Sequence, residues 1–410
     1  MNETGFSAQD AIERVEVSQR VAISPFQKLL DISSKTRTSM FPWRGQFSPQ
    51  LVEHLISNYA LDDGIIVDPF CGSGTVQIEA ARLSRDSFGC DVNPAAIELA
   101  RVVAYCKISM HERMDLVDQI EVHVARICRS IATEDLGAAI PKSSRSVKDL
   151  WGDIIAAGMD DELLPLMKIL LMLAAKNTVS CNAEQLRRSL KQIKEIVLSL
   201  PISSNRLNAC LGDARALPLE DNSVSYLLTS PPYINVFNYH QNYRPVVEAF
   251  GYAPLAAAVS EIGANRKHRA NRFMTVIQYC MDMAQLFAEV GRVLRKEASA
   301  TFVVGRESNV RRTAFKNGEL LAAIGSEGLG MSVREWNERS FVNRFGKTIV
   351  EDVITFGTTN SDFSEAVQIG RAVGSQALRK SLEVCSSEVA DEIALALNKA
   401  DAIQPSPLKV

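Results

Sequence analysis

Residues 64–94, "GIIVDPFCGSGTVQIEAARLSRDSFGCDVNP", contain the pattern that decides the fold. A short apolar strand is followed by a glycine-containing turn and a helix, and a second apolar strand then ends at Asp91. Another helix begins directly afterwards, with Asn93 as its N-cap and Pro94 at its first position. Units of strand, helix, strand and helix pack as parallel sheets with right-handed crossovers. The segment therefore predicts an α/β fold built on a parallel sheet.

The alternation of strands and helices resumes near residue 205 and continues to residue 357. Its strand candidates are "NACLG", "SVSYLLT", "SATFVVG", "GMSVREWNE" and "TIVEDVITFG", with a long helix after the second of them and another near 315–325. Residues 106–200 interrupt this alternation, because they show helical spacing without a strand candidate. The last 50 residues contain one or two helices, and residues 402–410 are expected to fray.

The composition is that of an ordinary folded protein and does not indicate a nucleic-acid binder. The chain has 410 residues, of which 46% are hydrophobic, and its formal net charge is −3. Contact with nucleic acid would therefore require a local basic patch. The eight cysteines form no CxxC pair and the five histidines form no HxxxH motif, so we expect reduced thiols and no metal.

Targeting signals are absent from the sequence as given. The N-terminus lacks a basic start followed by an apolar core, so no signal peptide is expected. The longest apolar run, residues 163–175, is too short to span a bilayer and contains Lys168. These features predict a cytoplasmic protein without a membrane partner.

The turn "DPFCGSGT" (residues 68–75) lies between a strand and a helix, where a ligand can approach the backbone. Gly72 and Gly74 permit that approach, but the GK[ST] end of a phosphate-binding loop is missing. Asp68 would repel a pyrophosphate and would suit a cationic ligand such as a sulfonium amino acid. A tight turn without a ligand is the structural alternative.

Two further acidic residues follow strand candidates. Asp91 ends the second strand, a position at which doubly wound folds bind ribose hydroxyls. The alternative for Asp91 is a simple helix-approach residue next to Asn93. Asp213, in "GDA", follows a later strand, where its carboxylate could accept a hydrogen bond from an adenine amino group; alone it would be a common turn residue.

The fourth motif is "TSPPY" (residues 229–233), which ends the apolar strand "SVSYLLT". Together, "DPFCGSGT", "GCDVNP", "GDA" and "TSPPY" resemble the S-adenosylmethionine-dependent amino-methyltransferases of DNA. The resemblance covers residues 40–105 and 205–357. It implies a Rossmann-like class I methyltransferase sheet, mostly parallel with an antiparallel strand near the C-terminal end, plus a helical insertion. It also implies S-adenosyl-L-methionine as cofactor and double-stranded DNA as partner.

The family's motifs assign roles residue by residue. The catalytic residues implied are Ser230, Pro231, Pro232 and Tyr233. The cofactor-binding residues implied are Phe47, Pro49, Asp68, Phe70, Gly72, Gly74, Asp91, Asp213 and Ala214; for Phe47, Pro49 and Phe70 ordinary packing is the alternative. The Ser230 hydroxyl and the Pro231 carbonyl would accept hydrogen bonds from the two N–H groups of an exocyclic amine. The prolines would hold both acceptors in fixed positions. Tyr233 would stack on a base flipped out of the duplex.

The candidate DNA contacts lie after the catalytic motif. The loop "GANRKHRANRF" (residues 263–273) is rich in arginine and lysine, and phosphate contact is its functional interpretation. Residues near 239–244 could line the base pocket, with packing as the alternative. The candidates are Arg266, Lys267, Arg269, Arg272, Tyr239 and Arg244.

These assignments divide the chain into four parts. Residues 1–105 would form the N-terminal segment and the cofactor-binding half, 106–200 the insertion, 201–360 the catalytic half and 361–410 a helical tail. The insertion would serve target recognition or a homodimer interface. Ser before Pro-Pro-Tyr is typical of cytosine-N4 enzymes, which predicts that activity and a restriction-modification role. The alternatives are adenine N6, RNA guanine N2, protein glutamine methylation, and a non-catalytic binding subunit.

Overall fold

The computed structural model describes residues 7–18, 25–135, 144–234, 238–264, 268–343, 345–358 and 363–408. Its strands are β1 Ile65–Asp68, β2 Asp86–Asp91, β3 Arg145–Ser146, β4 Ser180–Cys181, β5 Leu207–Leu211, β6 Val224–Thr229, β7 Leu294–Gly305, β8 Glu307–Val310, β9 Thr313–Lys316, β10 Val333–Val342 and β11 Thr348–Gly357. Its helices are α1 Ala8–Ser18, α2 Gln27–Leu30, α3 Pro49–Tyr59, α4 Thr75–Arg82, α5 Pro94–Ala100, α6 Met110–Asp135, α7 Val147–Ala156, α8 Leu164–Ala175, α9 Ala183–Ser199, α10 Arg244–Ala249, α11 Pro254–Ser260, α12 Met274–Val293, α13 Asn317–Ala322, α14 Ala366–Leu382 and α15 Ser387–Asn398.

The central sheet has seven strands in the order β10-β11-β7-β6-β1-β2-β5. Five of them, from β7 to β5, run parallel, and β11 lies antiparallel between β7 and β10. Strand β6 is buried along its whole length, as expected for a parallel sheet covered on both faces. The predicted fold, a mostly parallel sheet with an antiparallel strand near its C-terminal end, is confirmed.

Helices cover the two faces of this sheet with separate apolar cores. On one face α12 and α14 pack through residues such as Ile277, Phe287 and Val373. On the other face α3 and α4 pack Leu51, Leu55 and neighbouring side chains against the sheet. The carboxyl ends of β1, β2 and β6 are thereby left open at one edge, which is where doubly wound sheets bind ligands.

The four helices α6–α9 pack in a third apolar core, which they share with α4, α5, β5 and α10. Arg113 in α6 is fully buried and donates to the backbone carbonyls of Tyr105, Leu200 and Pro201, so it ties the start of α6 to the end of α9. The prediction of a strandless segment was wrong in one respect: β3 and β4 form a two-residue antiparallel pair. Such a short pair leaves no periodic signal in a sequence.

Two other elements were not predicted. Strands β8 and β9 form a hairpin directly after β7, with Arg311 and Arg312 at its tip. The C-terminal residues were expected to fray, yet Ser406 is buried and hydrogen-bonded within the fold. Neither feature could be read from local hydrophobic spacing, because each depends on contacts with distant parts of the chain.

No described helix is long and apolar enough to cross a membrane. Within the described residues, no group of three or more histidine, cysteine or acidic side chains could hold a metal ion.

Candidate active site

A single cleft lies at the carboxyl edge of the sheet and encloses about 810 Å³ of empty space, part of it open to solvent. It collects side chains from the ends of β1, β2, β5 and β6 and from the segment before α3. Of the predicted site residues, the cleft is lined by Phe47, Asp68, Phe70, Gly72, Asp91, Asp213, Ala214, Ser230, Pro232 and Tyr239. Four strand ends separated by up to 160 residues therefore contribute to one concave surface.

The segment before α3 forms one wall of the cleft. Trp43 lies against Gly72 so closely that a Cβ at that glycine would be 2.8 Å from the indole Nε1. The segment is held in place by bonds from Ser73 Oγ to Gln46 Oε1, at 3.3 Å, and from Ser39 Oγ to the Phe47 carbonyl, at 2.9 Å. Sequence reasoning identified Phe47 but missed Trp43, because nothing in the spacing links it to a loop thirty residues later.

Gly72→Ala is expected to weaken binding of a ligand in this cleft about tenfold. The residue has a φ of +50°, so an alanine would be strained, and its Cβ would push Trp43 outward. Isothermal titration calorimetry with S-adenosylhomocysteine measures the change. Gly158→Ala is the matched control, since Gly158 has a φ of +64° and nothing within 4 Å. Equal affinities for the two variants would contradict the role of Trp43 as a cleft wall.

Asp68 is a buried carboxylate at the end of β1. Its Oδ1 accepts hydrogen bonds from Thr229 Oγ1, at 2.7 Å, and from the Phe70 N–H, at 3.0 Å. Burial raises the pKa of Asp68 to about 7, the two hydrogen bonds oppose that change, and the nearby charge of Asp91 adds to it. A buried carboxylate of this kind is unfavourable alone and would be stabilised by a cationic ligand.

Asp91 holds the glycine turn. Its Oδ2 accepts the Gly72 N–H at 3.1 Å and its Oδ1 accepts the Asn93 N–H at 2.8 Å. The Asn93 side chain in turn accepts the Ala95 N–H, so the predicted N-cap is confirmed. The structural role of Asp91 and its position in the cleft wall are compatible, because each carboxylate oxygen has two lone pairs.

Asp213 lines the cleft after β5, and a buried arginine fixes its orientation. Arg215 donates from Nε to Oδ1 at 2.9 Å and from a terminal nitrogen to Oδ2 at 2.8 Å, the bidentate geometry typical of this pair. Sequence reasoning gave Asp213 a hydrogen bond from an adenine amino group, with a common turn residue as the alternative, and it missed Arg215. The residue order Asp-Ala-Arg was the available signal, but no spacing rule indicates that such an arginine turns inward.

The "SPPY" motif contributes unequally to the cleft. Ser230 and Pro232 line it, while Pro231 does not. The half-buried Tyr233 ring lies against Gly305 at the end of β7, where a Cβ would be 3.0 Å from Tyr233 Cε2. The two hydroxyls of Ser230 and Tyr233 are 3.4 Å apart, and burial raises the pKa of Tyr233. The tyrosine is thus next to the serine, just outside the cleft lining.

The cleft is acidic. Its lining includes Asp68, Asp91, Asp213 and Glu261, whereas Arg44 is the one basic side chain among the described lining residues. Such a wall favours a cationic ligand over a phosphate. A sulfonium with an α-ammonium group and a neutral adenosine fits this donor and acceptor set, whereas the pyrophosphate of a dinucleotide does not.

Glu261 reaches the cleft from the turn after α11 and is paired with a buried histidine. It accepts the His240 N–H at 2.6 Å, and its second oxygen is 2.8 Å from His240 Nδ1. This pair fixes the neighbouring Tyr239, whose carbonyl accepts from Asn93 Nδ2 at 2.8 Å. Sequence reasoning assigned Tyr239 to DNA contact, and the structure places it in the cleft wall near Asp91, where burial raises its pKa.

Four of the predicted catalytic and cofactor-binding residues are outside the cleft lining: Tyr233, described above, and Pro49, Pro231 and Gly74. Pro49 is buried at the first position of α3, and Pro231 is buried beside the cleft lining. Gly74 has a φ of +84° as the N-cap of α4, and a Cβ there would be 3.0 Å from Ala100 Cα, so the glycine allows α5 to approach the turn. Pro49 and Gly74 thus have packing roles in the fold, and their contact with a ligand stays a prediction.

The predicted DNA contacts are dispersed. Arg266 and Lys267 are outside the described residues. Arg269 and Arg272 are exposed in the turn before α12, while Arg244 pairs with Glu248 at 2.7 Å along α10. The turn begins at Gly263, which lies against the Tyr233 backbone, so it starts next to the catalytic motif.

The sheet order and the cleft at its carboxyl edge are those of a Rossmann-like α/β fold. Residues 15–102 match the family described as N6/N4 DNA methylase. The type II methyltransferase M.MjaII of Methanocaldococcus jannaschii is 36% identical over 75 residues, which are 17% of this chain and 14% of that protein. M.BsoBI of Geobacillus stearothermophilus is 36% identical over 72 residues, with the same shares. The chain is similar to these DNA methyltransferases over this segment, and the matches span about a seventh of each relative's length.

Solved structures are similar at a lower level. An S-adenosylmethionine-dependent methyltransferase of Methanosarcina mazei shares 13% identity, covering 74% of this chain and 96% of its own, with a TM-score of 0.33. The PH0226 protein of Pyrococcus horikoshii shares 11% identity, covering 80% and 97%, with a TM-score of 0.34. Values this low indicate neither an activity nor a substrate.

Proposed function

We propose that this protein transfers a methyl group from S-adenosylmethionine to the exocyclic N4 amine of cytosine in DNA, with the target base flipped out of the duplex. The observation that carries the proposal is that Ser230 and Pro232 of the "SPPY" motif line the same cleft as Asp68 and Asp91. An amine-binding motif and a cation-binding wall thus meet in one cavity, as methyl transfer to an amine requires.

The cofactor would be held by the acidic wall. Asp68 would accept a hydrogen bond from the ammonium group of the cofactor. Asp91 would accept hydrogen bonds from the ribose hydroxyls, and Asp213 would accept one from the adenine amino group. Phe47, Phe70 and Trp43 supply the apolar surface around it. S-adenosylmethionine supplies an electrophilic methyl group when bound. The residues of the chain would position it and exclude water.

The exocyclic amine of a base is a weak nucleophile, because its lone pair is delocalised into the ring. The Ser230 hydroxyl and the Pro231 carbonyl would accept hydrogen bonds from the two N–H groups of this amine. These bonds would direct the nitrogen lone pair out of the ring plane. The prolines fix φ, so both acceptors are pre-positioned. Ser230 is not a general base, and the proton would leave the amine after methyl transfer.

DNA would approach the cleft mouth. The turn containing Arg269 and Arg272 ends at Phe273, whose ring is 6.5 Å from that of Phe315 on β9. The β8–β9 hairpin carries exposed Arg312 at its tip. We propose that these exposed arginines contact the phosphates of DNA, although the chain as a whole has a formal net charge of −3. Phosphate contacts of this kind position the duplex without reading its sequence.

Arg272→Ala is expected to weaken binding to all DNA sequences to a similar extent. The slope of log affinity against log salt concentration should fall by about 0.9, because one phosphate contact is lost. Fluorescence anisotropy of a labelled duplex at several salt concentrations measures this slope. Arg206→Ala is the control, since Arg206 is exposed at the opposite edge of the sheet, where it pairs with Asp86. A slope equal to that of the control would remove Arg272 from the interface.

Adenine N6 is the second candidate, because the matched family includes both chemistries. The test is incubation with labelled S-adenosylmethionine and unmethylated genomic DNA, followed by digestion to nucleosides. Label in N4-methylcytosine supports the proposal, and label in N6-methyladenine supports the second candidate. Label in RNA or protein, with none in DNA, would overturn both.

The helices α6–α9 correspond to the predicted insertion, and we propose that they serve target recognition or association of two copies. They share an apolar core with α4, α5 and β5, so the insertion is anchored to the rest of the fold. Sedimentation with and without DNA distinguishes the two roles.

A further inference from the structure

The C-terminal segment 403–407 lies against α12 and α14 and is bonded to the fold at each step. The Ile403 carbonyl accepts from Arg371 at 3.0 Å, and the Gln404 carbonyl accepts from Gln278 Nε2 at 2.8 Å. Ser406 donates its N–H to Asp282 Oδ1 at 2.6 Å and its hydroxyl to Asp282 Oδ2. The segment is therefore tied to the fold along its length, with Ile403 and Ser406 buried and Gln404 and Pro407 exposed.

The same segment binds the arginine that orients Asp213. One terminal nitrogen of Arg215 donates to the Ser406 carbonyl at 2.8 Å and to Asp282 Oδ1 at 3.0 Å. The other terminal nitrogen donates to the Pro407 carbonyl at 3.0 Å as well as to Asp213. Arg215 and Asp282 side chains are 0% exposed. A continuous bonded path thus runs from the C-terminal segment to the wall of the cleft.

The charges along this path are interdependent. Two buried carboxylates, Asp213 and Asp282, share one buried guanidinium. Buried ions of this kind are stable only when their remaining hydrogen-bonding groups are satisfied. The carbonyls of Ser406 and Pro407 accept hydrogen bonds from the Arg215 N–H groups that do not bond to the two carboxylates. Ser406 also donates its N–H and its hydroxyl to Asp282. If these contacts were lost, Arg215 would be free to turn from the cleft toward other acceptors.

We propose that residues 403–407 act as a strap that, through Arg215, aims the Asp213 carboxylate into the cleft and so sets selectivity for the adenine ring of the methyl donor. Arg215 and Ser406 are positioning residues in this proposal, which rests on the proposed function. An aimed carboxylate accepts a hydrogen bond from the 6-amino group of adenine. Hypoxanthine carries a 6-oxo group at this position, which is a hydrogen-bond acceptor. The Asp213 carboxylate would then face another acceptor, which is unfavourable.

The test is calorimetric binding of S-adenosylhomocysteine and S-inosylhomocysteine to the full chain. The unaltered protein should prefer the adenosine compound by about 10- to 100-fold, the range expected for a hydrogen bond to a charged group. Arg215→Lys keeps the positive charge but removes the planar guanidinium that bonds to both oxygens of Asp213. It should reduce this preference to less than about threefold. Ser406→Ala removes one strap contact and should reduce the preference partially, with a smaller effect on folding.

Arg113→Lys is the matched control, because Arg113 is also fully buried and bonded to backbone carbonyls, but in the helical region. It should lower the melting temperature without changing the ratio of the two affinities. The proposal is overturned if the ratio is unchanged in Arg215→Lys and Ser406→Ala, or if Arg113→Lys changes it equally. Failure of the unaltered protein to bind S-adenosylhomocysteine would instead overturn the proposed function.

Discussion

Tyr233→Ala is expected to lower kcat/KM for DNA methylation by about 10- to 100-fold, the value of one base–aromatic stacking contact. The ring lies against Gly305 beside Ser230, but it is outside the cleft lining. The affinity for S-adenosylhomocysteine should therefore change less than about threefold. Steady-state methylation kinetics and calorimetry on the same preparations measure the two quantities.

Tyr233→Phe is the control for this prediction. The ring and its contact with Gly305 remain, and only the hydroxyl next to Ser230 Oγ is removed. We expect its kcat/KM to stay near that of the unaltered protein. Equal losses in the phenylalanine and alanine variants would show that the hydroxyl, rather than the ring surface, matters. A parallel loss of S-adenosylhomocysteine affinity would place the tyrosine in the cofactor site.

The parts of the fold that local pattern determines were predictable. Segment β1–α4–β2–α5 has strand and helix periods, a glycine turn and the Asn93 cap within thirty residues, so each boundary has its own signal. The antiparallel strand near the C-terminal end was implied by the resemblance to DNA amino-methyltransferases, and β11 is that strand.

The remaining features depend on contacts between distant residues. Trp43 against Gly72, Tyr233 against Gly305 and the C-terminal strap on Arg215 each join segments that no periodicity relates. In the first two cases a glycine in one segment makes room for a ring from another. Glycine is common in turns for other reasons, so its presence alone did not indicate the ring that it accommodates.

Asp68→Asn is expected to weaken S-adenosylmethionine binding at pH 8 by about 100-fold or more, because the cationic ligand would lose its buried carboxylate partner. The asparagine oxygen can still accept from Thr229 and Phe70, so the local structure should persist. In the unaltered protein the affinity should rise as the pH increases to about 7, the pKa of Asp68, and then level off. Calorimetric titrations between pH 5.5 and 8.5 measure both effects.

The same substitution should stabilise the protein without ligand at pH 8. The pKa of Asp68 is raised by burial to about 7 from a usual value near 3.8. The native state therefore binds this proton more tightly than the unfolded state, and the associated stability is lost as the pH rises through 7. The gain in melting temperature from Asp68→Asn should accordingly be larger at pH 8 than at pH 5.

Asp86→Asn, at the first residue of β2, gives a control of opposite sign. Burial alone would raise the pKa of Asp86, but hydrogen bonds from Asn205 and Arg206 outweigh it and hold the pKa below its usual value. That variant should be less stable than the unaltered protein at pH 8 and should keep its affinity for S-adenosylmethionine. If Asp68→Asn instead destabilised the protein at pH 8 while binding S-adenosylmethionine normally, Asp68 would be a structural carboxylate and the cation-binding role of the cleft would be wrong.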